Sequence, residues 1–218
     1  MCFSATASFA SSAVLITVGV VSMKKAKGTA YRPIAGIACL FGLQQFTEGF
    51  VWLGLQHDSF ASLLNMSALG FLIFAWIVWP MYIPYAMMHP EKIGKRKQWM
   101  KVFLGTGLVV TLALVYILTT KGFTPEIRGH SIHYNVAFKS FLTGPFSILY
   151  LMCAIVPPFI SSGRMVWLLG GTTLCSFLIA RFFYLEHLLS VWCFFAALGS
   201  AFVLLAVHLN TKKDNSLS

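Results

Sequence analysis

Glu48 stands in "LFGLQQFTEGFVWLGL" (Leu40 to Leu55), a stretch otherwise apolar enough to cross a bilayer. On a helix, Gln44, Glu48 and Trp52 share one face, with Gln45 beside them. A carboxyl group in hydrocarbon is costly, so Glu48 must face the bundle interior, be protonated, or be paired. It is a candidate acid/base, ligand-binding group or metal ligand. A second polar group gathers in "RFFYLEHLLSVWC", with Arg181, Glu186, His187, Ser190, Trp192 and Cys193. There Glu186, Ser190 and Cys193 recur at i, i+4, i+7, on one helical face. A third lies at the start, in Cys2, Ser4, Thr6 and Ser8. Removal of Met1 would leave Cys2 offering both an amine and a thiol, a pair suited to chelation or nucleophilic attack. Finally, "GHSIHY" holds His130 and His133 at i, i+3, which one helical turn would aim the same way, as metal ligation needs.

Each group also has a plainer reading. Glu48 with Gln44 and Gln45 would serve as interhelical hydrogen-bond glue. Glu186 and His187 would be interfacial loop residues, and Cys39, Cys153 and Cys175 small packing residues. Most Trp and Tyr residues near the ends of apolar blocks would be interface anchors.

The elements that position these residues follow from composition. Only 10% of the 218 residues are charged and 58% are hydrophobic, and the apolar residues come in long blocks separated by short charged ones. A soluble domain carries about 25% charged residues, spread along amphipathic helices. The chain therefore reads as a single all-α membrane domain over residues 1–218, with the lipid bilayer as its main partner. Seven blocks reach spanning length, near 3–22, 33–55, 62–88, 101–120, 141–160, 164–183 and 185–208. Pro80 and Pro84 should kink the third, and "VPPF" and "SSGR" should form a tight turn between the fifth and sixth. The first block reads as a retained helix and not a cleavable signal, because its lysines follow the apolar run.

Basic residues set the orientation. Lys24, Lys25, Lys27, Arg32, Lys92, Lys95, Arg96, Lys97, Lys101, Arg164, Lys212 and Lys213 fall on one side; Lys121, Arg128, Lys139 and Arg181 fall on the other. That asymmetry places the N-terminus outside and the C-terminus in the cytoplasm. It also accounts for the formal charge of +10 without nucleic acid, since the bases lie where they orient helices. Glu48 then lies about seven residues, roughly 10 Å, below the outer end of its span. The charged groups at membrane depth converge on the outer leaflet, which predicts a polar pocket opening outward. The only long external loop, near 121–140, is expected to lack regular structure and to act as a lid or binding loop. There is no repeat between halves to support an inverted-repeat transporter, no phosphate loop, no H-E-x-x-H, no G-x-S-x-G, and no lysine in the last span for a retinal Schiff base.

"MCFSATASF", "FGLQQFTEGFVWL" and "SVWCFFAA" together resemble a family of small multi-pass bacterial membrane proteins of unknown function that begin MCFSA. The resemblance implies an integral protein of the bacterial inner membrane whose characteristic residues include Cys2, Ser4, Gln44, Gln45, Glu48, Trp52, Trp192 and Cys193. It brings no activity.

The leading functional expectation is a sensor or transporter-like binding protein. Its outward pocket would take a small polar ligand through Cys2, Ser4, Gln44, Gln45, Glu48, Trp52, Arg181, Glu186, Ser190 and Trp192. Alternatively it would hold a transition metal such as zinc or copper through Cys2, Glu48, His187 and Cys193, or through His130 and His133. One rival is a membrane-embedded, metal-dependent enzyme with Glu48 as acid/base and Cys2 or a bound water as nucleophile. Another is a structural membrane subunit. The boldest expectation is that Cys2 and Cys193 meet, as a disulfide or as shared ligands of one metal.

Overall fold

The computed structural model describes residues 4–136, 144–163, 166–184 and 187–200. In chain order these form α1 (Ala5–Lys25), α2 (Arg32–Gln56), a 3-10 turn (Asp58–Phe60), α3 (Ala61–Leu72), a π-helical turn (Ile73–Val78) and α4 (Trp79–Met88). Then follow α5 (Gly94–Lys121), the strands β1 (Phe123–Arg128) and β2 (Ser131–Val136), α6 (Pro145–Ile160), α7 (Val166–Phe183) and α8 (Leu188–Gly199). The described residues form a helical bundle with one small hairpin. Among the described residues, five stretches are long and apolar enough to cross a membrane: Ala5–Lys25, Arg32–Gln56, Asp58–Met88, Gly94–Lys121 and Val166–Phe183. Two further apolar helices, Phe146–Ile160 and Leu188–Gly199, are shorter.

The second helix is the hub. Of its most apolar 18-residue window, 67% is buried, against 28–33% for the other four long stretches. Its glycines make that possible. A Cβ at Gly42 would fall 2.7 Å from Ile16, and one at Gly49 would fall 2.6 Å from the Phe9 ring. Spaced seven apart on one face, they let α1 pack antiparallel along α2, with Cys39 returning the contact against Gly19. On the other side α3 runs antiparallel to α2, Leu64 against Gly54 and Thr47 against Gly70.

Three local expectations are corrected. The third span is not simply kinked at its prolines: six residues upstream of Trp79 form a π-helical turn, after which α4 runs through Pro84. Pro80 has no N–H to return to the preceding turn, and a widened turn there relieves the clash of its ring. The turn leaves carbonyls for side chains, and Ala75 O accepts from Tyr150 Oη while Ile77 O accepts from Thr111 Oγ1. "VPPF" is not part of a turn either. Pro157 and Pro158 lie within α6, which ends at Ile160, and Ser161 N donates to Pro157 O as the chain leaves the helix.

The third correction concerns the loop near residues 121–140. Gly122, at φ 69°, stops α5, and the next residues form an antiparallel hairpin with Arg128 opposite Ser131. Its two-residue turn begins at Gly129, φ 60°, the positive-φ position such turns reserve for glycine. The alternation in "SIHYNV" buries Ile132 and Tyr134, and Tyr134 stacks on Phe71 of α3 with ring centroids 4.7 Å apart. The α2–α3 register puts Phe71 level with the Gln45–Glu48 turn, so the hairpin dips into the bundle.

Candidate functional site

The α1–α2–α3 packing turns the polar face of α2 inward, toward α8. Gln44, Gln45, Glu48 and Ser190 are all 0% exposed. Ser190 Oγ donates to Glu48 Oε1 at 2.5 Å, and Gln45 Nε2 donates to Glu48 Oε2 at 3.2 Å. The carboxyl group thus ties the middle of α2 to the first turn of α8. One turn deeper, Gln44 Oε1 accepts from Trp79 Nε1 at 2.8 Å, and the Trp79 ring stacks on Phe41 at 3.9 Å. The Gln44 amide also lies beside the Cys193 thiol, so α2, α4 and α8 meet at this residue. Ser190 and Cys193, two of the three residues in the i, i+4, i+7 spacing, thus both meet the polar face of α2.

The same layer holds further buried polar atoms. Ser8 Oγ, Gln45 Oε1 and Trp52 Nε1 are buried without a hydrogen-bond partner among the described residues. Gln45 and Trp52 flank Glu48 on α2, and Phe9 against Gly49 brings Ser8 to the same depth. An unsatisfied buried polar atom costs about 1–3 kcal/mol.

Two cavities adjoin this layer. The inner, about 30 Å³, is lined by Phe41, Trp79, Tyr150, Trp192 and Cys193 among others. The outer, about 120 Å³, is bounded by Trp76, Ser147, Tyr150, Phe177, Arg181 and Trp192. One ordered water fills about 10–15 Å³ measured this way, so the outer cavity accommodates a small organic molecule or several waters. Tyr150 and Trp192 form the wall between them, edge to face at 5.8 Å. Each is pinned, Tyr150 by Ala75 O and Trp192 Nε1 by Thr173 O at 3.1 Å. Arg181 is exposed at the outer cavity. The sole ion pair among the described residues joins Arg128 to Glu126, so Arg181 has no carboxylate partner there and does not pair with Glu48.

The remaining candidates separate. Ser4 caps α1, its Oγ accepting from Ala7 N at 3.2 Å, and is not part of the Glu48 layer. Cys2 and Glu186 lie outside the described residues, and with them the expected meeting of Cys2 and Cys193. His130 sits in the hairpin turn and His133 in β2, not on one helical turn, so their shared aim is lost. His133 instead faces His187, rings perpendicular at 6.3 Å. Among the described residues no three of His, Cys, Asp and Glu converge as metal ligands. Glu48 itself is sealed: it is fully buried and lines neither cavity.

Sequence reasoning passed over Trp76, Trp79, Ser147 and Tyr150. The tryptophans lie in an unbroken apolar run, where no periodicity singles out one aromatic from another. It also passed over Glu91, 2% exposed, which accepts from Ile93 N and from both the backbone N–H and hydroxyl of Ser162. The signal for Glu91 was its isolation: it is the only acid in "HPEKIGKRKQWMK".

Comparison with curated proteins and with solved structures gives no match. A family model does match, over residues 1–217, nearly the whole chain. The chain belongs to DUF6629, a family of unknown function.

Proposed function

We propose that this is a ligand-binding integral membrane protein of the sensor or transporter-like kind, crossing the bilayer seven times with its N-terminus outside. The spanning count adds α6 and α8 to the five longer stretches, and the orientation rests on the basic residues that flank α1, α2, α4 and α5. The ligand is a small anion with an apolar body, seated in the outer cavity against Trp76, Phe177 and Trp192, its charge met by Arg181. Aromatic walls with one convergent cation and a hydroxyl are how small-molecule sites are commonly built.

The observation that carries this reading is the double duty of α8. Trp192 faces the outer cavity, while Ser190, half a turn away, holds the sealed Glu48. A ligand pressing on Trp192 therefore changes the seating of α8 against α2, and the unpaired atoms of Ser8, Gln45 and Trp52 give that layer a second hydrogen-bonding arrangement to move to. A metal centre is less well supported, because the described ligands do not converge.

The test is a thermal-unfolding screen of the purified full chain against small aromatic and aliphatic carboxylates and phosphate monoesters. A compound present at a hundred times its Kd adds about 2.7 kcal/mol of stability. A stabilising anion whose effect disappears in Arg181→Gln, with the unliganded melting point unchanged, supports the proposal. Stabilisation by none of these anions, or equal stabilisation of Arg181→Gln, refutes it.

A further inference from the structure

A separate groove lies between α4 and α5, with a volume of about 670 Å³. Its walls are almost wholly apolar, from Ile77, Met81, Leu104 and Leu108, with Tyr85 and Lys101 at one end. Two glycines on α5 explain its shape. A Cβ at Gly107 would collide with the Pro80 carbonyl, so this glycine lets α4 and α5 touch. A Cβ at Gly105 would meet nothing within 4 Å, so this one leaves the floor of the groove open. From Lys101 to Leu108 the groove runs about 10 Å along the helix.

The charge at its mouth has no counterpart among the described residues. Lys92, Lys95, Arg96, Lys97 and Lys101 crowd the start of α5, and none forms an ion pair among the described residues. Glu91, the acid nearest in sequence, is buried and committed to Ser162 and Ile93 N. A basic cluster beside a spanning helix attracts anionic lipid headgroups, and here it opens into an apolar slot.

We propose that this groove binds one anionic phospholipid, its phosphate at Lys101 and one acyl chain lying over Gly105 between Met81 and Leu108. The site is separate from the outer cavity, and nothing in it depends on the ligand proposed there. The groove supplies the slot for the chain and the lysine cluster supplies the sign of the headgroup. Basic flanking residues place it in the inner leaflet.

The experiment is native mass spectrometry of the purified full chain, with phosphatidylglycerol, phosphatidylcholine or glycerol phosphate added. Phosphatidylglycerol should be retained in preference to phosphatidylcholine, and glycerol phosphate should neither bind nor compete. Lys101→Gln should weaken phosphatidylglycerol about fivefold. Gly105→Leu should lower retention of both lipids, because its side chain occupies the slot without touching the helix packing. Lys121→Gln, at the far end of α5, should change nothing, and melting curves verify that each variant is folded. If Gly105→Leu folds poorly, Gly105→Val takes its place in the same comparison. Equal retention of the two lipids, unchanged binding in the folded Gly105 variant, or competition by glycerol phosphate would each overturn the proposal, the last by showing a site for free phosphate.

Discussion

The bond from Ser190 to Glu48 should be among the stronger interhelical contacts of its kind. Membrane double-mutant cycles average about 0.6 kcal/mol per hydrogen bond and reach about 1.7, because in most cases the separated groups find other partners. Both residues are 0% exposed, and among the described residues Gln45 is the other donor to the carboxyl group, on the opposite oxygen. Bonds to a charged or strongly polar group are worth about 1.5–3 kcal/mol when buried, and the membrane ceiling trims that range. The coupling energy between Ser190→Ala and Glu48→Leu should therefore be about 1–2 kcal/mol. Glu48→Gln, which keeps an oxygen to accept from Ser190, should cost less than Glu48→Leu. The assay is reversible unfolding of the full chain in mixed micelles, for wild type, both single variants and the double. A coupling energy within about 0.3 kcal/mol of zero, the additivity of independent sites, would show that Glu48 does not fasten α2 to α8.

Other outcomes follow from the same geometry. In a cysteine-free background, Ser59→Cys should react with an impermeant maleimide from outside and Gly94→Cys only after permeabilisation; the reverse pattern would overturn the orientation. Gly107→Ala should destabilise by about 1–3 kcal/mol through its collision with the Pro80 carbonyl, whereas Gly105→Ala should lie within about 0.5 kcal/mol of wild type, both read from unfolding midpoints. Glu91→Ala should cost about 2 kcal/mol or more, since the Ser162 backbone N–H and hydroxyl and the Ile93 N–H lose their acceptor, and Glu91→Gln should recover part of it. Protease sensitivity of the Ser161–Gly163 turn would report the same change locally.

The sequence by itself determined the helical, membrane-type class, the approximate bounds of five long apolar stretches and the face of α2 that turns inward. Apolar blocks of bilayer length have few other uses, and a carboxyl group within one must turn inward. The i, i+4, i+7 spacing of Glu186, Ser190 and Cys193 put the last two on one helical face, because helical periodicity fixes faces before any packing is known. What it could not reach was which face meets which. The partner of Glu48 lies 142 residues away, and the helix order around α2 depends on glycine contacts such as Gly42 with Ile16 and Gly49 with Phe9. The hairpin was read as an unstructured loop because its two-residue turn at Gly129 and His130 carries only a faint local signal, and its alternation is meaningful only once Phe71 offers Tyr134 a place to stack. The π-helical turn before Pro80, and the Tyr150 and Trp192 wall it helps hold, arise from where carbonyls and rings meet between helices. A one-dimensional pattern specifies each helix's faces. Only the tertiary packing chose the neighbour each face received, and so decided that Glu48 is sealed beside the cavities instead of lining an open mouth.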